Sequence, residues 1–217
     1  MARRAPEPPP DLSQYGVLAE YNRKRRFAVT PEPPGRLRPR RGSASLAFVV
    51  QKHRASHLHY DVRLEHEGAM LSWAVPKGPS LDPTVRRLAM QTEPHPLEYN
   101  QFEGIIPEGE YGGGTVMIWD EGTWEPEVPD VSRALLKGDL KFRLRGKKLR
   151  GSWVLVRTRD RNWLLIKHRD AEATSDGDIT VSKSRSVVSR RTMAGIARAA
   201  GATARQLAHA IAADPAR

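Results

Sequence analysis

The sequence predicts a mainly β fold, a single compact antiparallel barrel with short flanking helices. Three observations carry that expectation. Eight short runs rich in β-branched and aromatic residues follow one another from Leu46 to His168. Turn signals such as HEG, DEG, RGKK and RDRN fall between them. Only one short helical pattern interrupts the series, which argues against alternating βαβ units and for an antiparallel barrel or sandwich.

In chain order the runs are LAFVVQK, HYDVRLE, MLSWAV, RRLAMQT, GTVMIWD, LKFRLRG, KLRGSWVLVRT and NWLLIKH. From His59 to Glu65, polar His59, Asp61, Arg63 and Glu65 alternate with apolar Tyr60, Val62 and Leu64, the period-two pattern of a half-buried strand. PDVSRALLKG reads as the interrupting helix, with Asp130 as N-cap and Gly138 past its end. Upstream, Leu12 to Arg26 predicts a short helix ending in the basic run RKRR, and the Pro-rich first residues predict disorder. PEPPGRLRPRRGS predicts an extended loop that lies along the domain and delivers Arg25 or Glu32 to a site. The stretch TMAGIARAAGATARQLAHAIAAD predicts an Ala-rich helix near the C-terminus. The organisation expected is a basic Pro-rich arm at 1–41, one β domain at 42–170 and a basic, partly helical or disordered tail at 171–217.

The 217 residues are 39% hydrophobic, enough for one sizeable core. No cysteine is present, which excludes disulfides, thiolate-ligated zinc and a thiol nucleophile. No apolar run reaches the length of a membrane span and the first residues lack a signal-peptide core, so a soluble cytoplasmic protein associated with the nucleoid is expected. Net charge is +11 and the pI is near 10.3. Residues 1–41 hold ten Lys/Arg against four Asp/Glu and residues 171–217 hold seven against four, leaving only +2 for the middle. Basic flanks on a balanced core point to a nucleic-acid partner, against the bland reading that they only confer solubility.

The chemistry concentrates in QKHRASHLHYDVRLE, residues 51–65. His53, His59 and Asp61 offer two imidazoles and a carboxylate, a donor set suited to manganese, iron or zinc with positions left open. Arg63, two residues on, suggests an anionic substrate. Without the histidines, Asp61 and Arg63 would read equally well as a surface ion pair. His57 is read as a nearby basic group and not a ligand. In EPHP, Glu93 and His95 share strand parity, and His95 is a candidate for binding a phosphate oxygen or protonating a leaving group. Lys77 and Arg87 add cations to the same mouth. PEGEYGGG lacks the P-loop pattern and reads as a tight connection into the next strand.

The runs FVVQKHRASHLHYDVRLEHEGAMLSWAVPKGPSLDP, EPHPLEYNQFEGIIPEGEYGGGTV and LLIKHRD resemble, over Leu18 to Asp170, the 3′-phosphoesterase domain of bacterial DNA ligase D and its free-standing relatives. The resemblance implies a β-barrel that uses manganese to trim DNA 3′ ends, removing a terminal ribonucleoside and then the 3′-phosphate in support of end joining. It implies His53, His59 and Asp61 as metal ligands and Arg63 and His95 at the scissile phosphate. Gln51, Lys77, Arg87, Glu93 and Tyr99 would surround them, with Arg25 and Glu32 from the arm. The family carries Asp where this chain has Arg26, and Arg where it has His57. No KxDG nucleotidyl-transfer motif is present, so a DNA ligase and end-binding proteins are expected to act in trans. The alternatives are a nucleic-acid-binding relative that has lost catalysis, an iron oxygenase using His59, Asp61 and His95, and a purely structural metal site.

Overall fold

In the computed structural model, which describes residues 13–37 and 45–215, nine strands form one antiparallel sheet that closes on itself. The strands are β1 (Leu46–Arg54), β2 (Leu58–His66), β3 (Ala69–Val75), β4 (Arg87–His95), β5 (Gly104–Ile106), β6 (Gly114–Pro126), β7 (Asp139–Gly146), β8 (Arg150–Arg159) and β9 (Asn162–Lys167). Their order is β1-β2-β3-β4-β9-β8-β7-β6-β5, and β1 also pairs with β6. That second pairing closes an eight-stranded barrel and leaves β5 as a short outer addition to β6. The expected mainly β barrel is therefore the observed fold.

Closure works because every strand contributes alternate apolar side chains to one cluster. Phe48, Val50, Tyr60, Val62, Leu64, Trp73, Ala89, Trp119, Phe142, Trp153, Leu155, Trp163 and Leu165 belong to it, and they come from all eight barrel strands. In a closed barrel such a set can only fill the interior. The opposite face of β1 and β2 therefore carries Gln51, His53, His59, Asp61 and Arg63 outward from the barrel core.

All eight expected runs are strands. Three details differ from the sequence reading. DEG, expected as a turn, lies inside β6, where Gly122 lets the backbone pass: a Cβ there would sit 2.2 Å from the Arg145 carbonyl oxygen. β5 was not anticipated. The C-terminal Ala-rich stretch is two helices, α4 (Met193–Ala199) and α5 (Ala204–Ala213), split by a turn at Gly201.

The remaining helices are α1 (Ala19–Arg23), α2 (Val131–Lys137) and α3 (Ile179–Ser182). A 3-10 turn over Ser13–Leu18 leads into α1, shorter than the helix expected over this stretch, whose start at Leu12 lies outside the described residues. The expectation of disorder for residues 1–12 also lies outside them. α2 is capped as expected, Asp130 accepting from Arg133 N at 2.9 Å and Gly138 adopting φ 81°. The tail packs against the barrel: Ile179, Met193, Ile196, Ala197, Ala210 and Ala213 join the core cluster. Buried Lys52, facing away from its neighbours Gln51 and His53, donates to the Ala213 carbonyl at 2.6 Å, a cation at the C-terminal end of α5. Among the described residues no helix is long and apolar enough to cross a membrane.

Candidate metal and phosphate site

The register of the first hairpin assembles one corner of the site. His53 pairs with His59 and Gln51 with Asp61 across β1 and β2, so the four side chains stand side by side on the outward face. The candidate ligand atoms of His53, His59 and Asp61 all lie within 4.8 Å of one another. His53 Nδ1 and His59 Nε2 are 3.7 and 3.6 Å from Asp61 Oδ2.

The tautomer of each ring follows from its second nitrogen. His53 Nε2 contacts the Gly112 carbonyl at 2.8 Å and His59 Nδ1 contacts the His57 carbonyl at 3.1 Å. A carbonyl only accepts, so those nitrogens carry the protons. The lone pairs of His53 Nδ1 and His59 Nε2 then point at Asp61, the orientation by which outer hydrogen bonds prepare imidazoles for a metal. The donor set and its pinned tautomers fit a divalent ion.

Gly112 can supply its carbonyl because it adopts φ 74°. PEGEYGGG, read from sequence as a mere connection, thus holds a ring of the site. His57 is exposed and is not among the three clustered residues; its carbonyl contacts His59 Nδ1.

Arg63 ties this corner together. Nη2 donates to Asp61 Oδ2 at 3.1 Å, Nε to Gln51 Oε1 at 2.9 Å, and Nη1 to the Ser72 hydroxyl. Gln51 Nε2 in turn donates to the Tyr99 and Phe102 carbonyls, both at 3.0 Å. Burial works to raise the Asp61 pKa, but the Arg63 guanidinium beside it is the chief influence that holds the carboxyl well below its ordinary range. Burial likewise opposes protonation of His59, and Asp61 more than offsets it, raising that imidazole's pKa.

A second corner faces the first across a cavity of about 770 Å³ lined by Arg25, Asp61, Arg63, Glu93, His95 and Tyr99 among others. His95 reaches it through a break in register: Met70 pairs with His95 while Ser72 pairs with Thr92, so β4 spends three residues where β3 spends two. Thr92 and His95 consequently both line the cavity, with Glu93 in the irregular stretch between them.

The arm brings Arg25, whose guanidinium lies 3.7 Å from the centre of the Tyr21 ring and whose Nε donates to Glu32 Oε1 at 2.8 Å. Arg25 Nη1 is 3.7 Å from Glu93, and Nη2 donates to His95 Nε2 at 3.4 Å. His95 Nδ1 donates to the Glu93 carbonyl at 2.9 Å, which leaves Nε2 unprotonated. Burial, then the charges of Arg63 and Arg25, push the His95 pKa well below the ordinary imidazole value.

Ten of the twelve candidate residues meet here, directly or through one hydrogen bond. Lys77 and Arg87 do not line the cavity. Lys77 is exposed in the turn after β3, and Arg87 Nη2 lies 3.9 Å from Asp178. Sequence reasoning missed Ser72, Lys24 and Tyr111. Lys24 Nζ lies 3.1 Å from Glu93 and 3.3 Å from the Tyr111 hydroxyl. Arg26 forms a two-pronged ion pair with Glu110, fastening the arm to the glycine-rich loop.

Residues 51–157 match the family described as the DNA ligase D 3′-phosphoesterase domain. The multifunctional non-homologous end joining protein LigD of Pseudomonas aeruginosa is 54% identical over 183 residues, covering 81% of this chain and 22% of that protein. The protein of that name from Mycobacterium bovis is 44% identical over 148 residues, covering 68% of this chain and 19% of its own length, and that from Mycolicibacterium smegmatis is 40% identical over 158 residues, covering 70% and 21%. The chain thus spans about a fifth of the length of these relatives. With the barrel, the clustered His53, His59 and Asp61 and this likeness in hand, the chain belongs to the DNA ligase D 3′-phosphoesterase domain family.

Proposed function

We propose that the protein is a manganese-dependent phosphoesterase that processes DNA 3′ ends, removing a terminal ribonucleoside, a 3′-phosphate or both in support of non-homologous end joining. The observation that carries this reading is the single cavity in which a preoriented His53–His59–Asp61 donor set faces the guanidinium groups of Arg25 and Arg63. Chemistry on phosphate needs both halves, a Lewis acid and fixed positive charge that counters the charge developing on the phosphoryl oxygens.

His53 Nδ1, His59 Nε2 and Asp61 would hold the ion, which when bound would polarise a non-bridging phosphate oxygen. Arg63, held by Gln51, Ser72 and Asp61, is positioned to bind another phosphate oxygen. Arg25 supplies a second guanidinium, held in place by Glu32 and the Tyr21 ring. His95 is neutral in the free protein, with its lone pair at Nε2. Substrate negative charge opposes the two guanidinium charges that depress its pKa, so His95 takes up a proton from solvent at Nε2 as substrate binds and gives it to the leaving oxygen while water attacks phosphorus and the ester P–O bond breaks. Tyr99 and Glu93 shape the wall around it. Lys77 and Arg87 lie beyond the cavity and in this reading contact DNA flanking the scissile bond. A DNA ligase activity and end-binding proteins complete the joining, in the cytoplasm at the nucleoid.

An iron oxygenase using His95 as its distal histidine is disfavoured, because among the described residues the gathered donors are His53, His59 and Asp61. A labelled primer-template ending in one ribonucleotide, incubated with and without manganese, tests the proposal. Manganese-dependent loss of the ribonucleoside followed by the phosphate is expected. Binding without cleavage would instead mark a relative that has lost catalysis.

A further inference from the structure

The large cavity is bounded on one side by Ala55, Ser56 and Gly112, and the same three residues line a second cavity of about 360 Å³. The far wall of this second space is α5, which contributes Arg205, Gln206 and His209. Both ends of that helix are tied down. At its start Gln206 N donates to Thr203 Oγ1 at 3.2 Å and Thr203 N to Gln206 Oε1 at 3.1 Å, while Gln206 Nε2 donates to the Ile106 carbonyl on β5 at 3.2 Å. At its end the Ala213 carbonyl accepts from Lys52 on β1. Arg205 and His209 are four residues apart and share one helix face, so the fastening presents both to the cavity.

The balance of charge there is positive, Arg54 and Arg205 against the carboxylate of Glu108. Glu108 accepts from Thr203 Oγ1 at 3.2 Å and Glu110 is engaged by Arg26. Arg54 spends Nη1 on the Ala55 and Ser56 carbonyls at 2.9 and 2.6 Å. Among the described residues no carboxylate pairs with Arg205 or His209. The floor is glycine backbone, and a Cβ built at Gly109 would meet nothing within 4 Å.

Successive phosphates of one strand advance only ~3.4 Å along the duplex axis, so a strand whose terminal phosphate fills the first cavity must leave through a space directly beside it. We propose that the second cavity is a backbone track for the strand being processed, in which Arg205 and His209 bind the phosphodiester adjoining the terminal one. The track deepens the phosphoesterase reading and rests on it for the identity of the strand. It also gives the basic tail a location for its action.

The test is fluorescence anisotropy of a labelled single-stranded oligonucleotide ending in a 3′-phosphate, over a salt series, with Arg205→Glu, Arg205→Lys and Arg198→Glu proteins. Arg198 is exposed on α4 and lines neither cavity, so its reversal makes the same charge change away from the track. Arg205→Glu is expected to weaken binding about tenfold or more and to flatten the log-log salt dependence by about 0.7. Arg205→Lys restores most of the affinity, and Arg198→Glu has the smaller effect. Equal weakening by the two reversals, or none by either, overturns the track. If wild-type protein binds the oligonucleotide but cleaves no 3′ end, the phosphoesterase reading fails while this comparison still decides the track. Absence of wild-type binding overturns the track, while the phosphoesterase reading stands or falls on the primer-template assay.

Discussion

The metal corner takes His53, His59, Asp61 and Arg63 from a single hairpin, in which neighbouring register positions place the side chains together. The opposite corner draws Arg25 and Glu32 from the arm, Glu93 and His95 from the irregular end of β4, and Tyr99 from the 3-10 turn after it. The first corner is oriented by two strands that also build the core. The second has its guanidinium, Arg25, only while the arm is docked. Ion binding and phosphate binding should therefore be separable by mutation, although they share one cavity.

The largest expected effect is at Asp61. Asp61→Asn removes the carboxylate that both imidazoles and Arg63 face, and manganese-dependent cleavage should fall by roughly three orders of magnitude. Because the barrel core lies on the other face of these strands, far-UV circular dichroism should retain its β signature, as it should for protein stripped of metal by a chelator. Unfolding on chelation would instead identify a structural metal and erase the distinction between the corners.

Next is Glu32→Gln. Arg25 and Glu32 are both buried, and removing the negative partner leaves a buried guanidinium short of its closest counter-ion, a change that costs about 3–5 kcal/mol in comparable pairs. The cheapest relief is release of the arm. Limited proteolysis near Arg25 should speed up and the KM for DNA should rise, while manganese affinity measured by calorimetry stays at the wild-type value. A parallel loss of manganese affinity would show that the two corners fold as one unit.

A smaller effect is expected from pH. The folded-state pKa of His95 is depressed, so between the folded and unfolded values the unfolded chain binds the extra proton. His95 therefore contributes stability above about pH 6.5, its unfolded pKa, and that contribution is lost as pH falls below it. Thermal unfolding of His95→Gln should lose less stability than wild type on moving from pH 7 to pH 5. Identical pH profiles would mean that His95 is not held neutral.

The smallest change is at Arg26. An Asp there would face Glu110 and repel the glycine-rich loop, so Arg26→Gln is the cleaner probe of whether this cation biases the protein toward 3′-phosphate over ribonucleoside removal. The pair is largely solvent-exposed on the Arg26 side, and the ratio of the two single-turnover rates should shift toward ribonucleoside release by no more than about threefold. An unchanged ratio removes Arg26 from substrate selection and leaves it as a fastening for the arm.

The eight barrel strands were legible because each is a short run of β-branched and aromatic residues set off by turn signals, and the metal corner was legible because its residues lie on the one strand that alternates clearly, β2, and on its neighbour. β5 was not, since three residues carry no periodicity. Nor was the second hydrogen bond of each imidazole, made to backbone carbonyls whose identity depends on how Gly112 and His57 fold back. The tail read as charge and alanine. Its docking rests on small side chains such as Ala197, Ala210 and Ala213, whose burial no pattern announces. Deleting everything beyond Asp170 would consequently strip the barrel of part of its core, which makes charge reversal the sounder test of the tail.

The extra residue in β4 has a consequence for comparing sequences. His95 shares the cavity face with Thr92, three positions before it, because the stretch from Thr92 to His95 is one residue longer than the partner stretch from Met70 to Ser72. A deletion of Pro94 would remove the extra residue and restore regular pairing, leaving the imidazole two positions from Thr92 and still on the cavity face. A homologue with the same histidine and one residue fewer before it would present that imidazole to the same cavity, so a gap of one column at this point leaves the histidine's face unchanged.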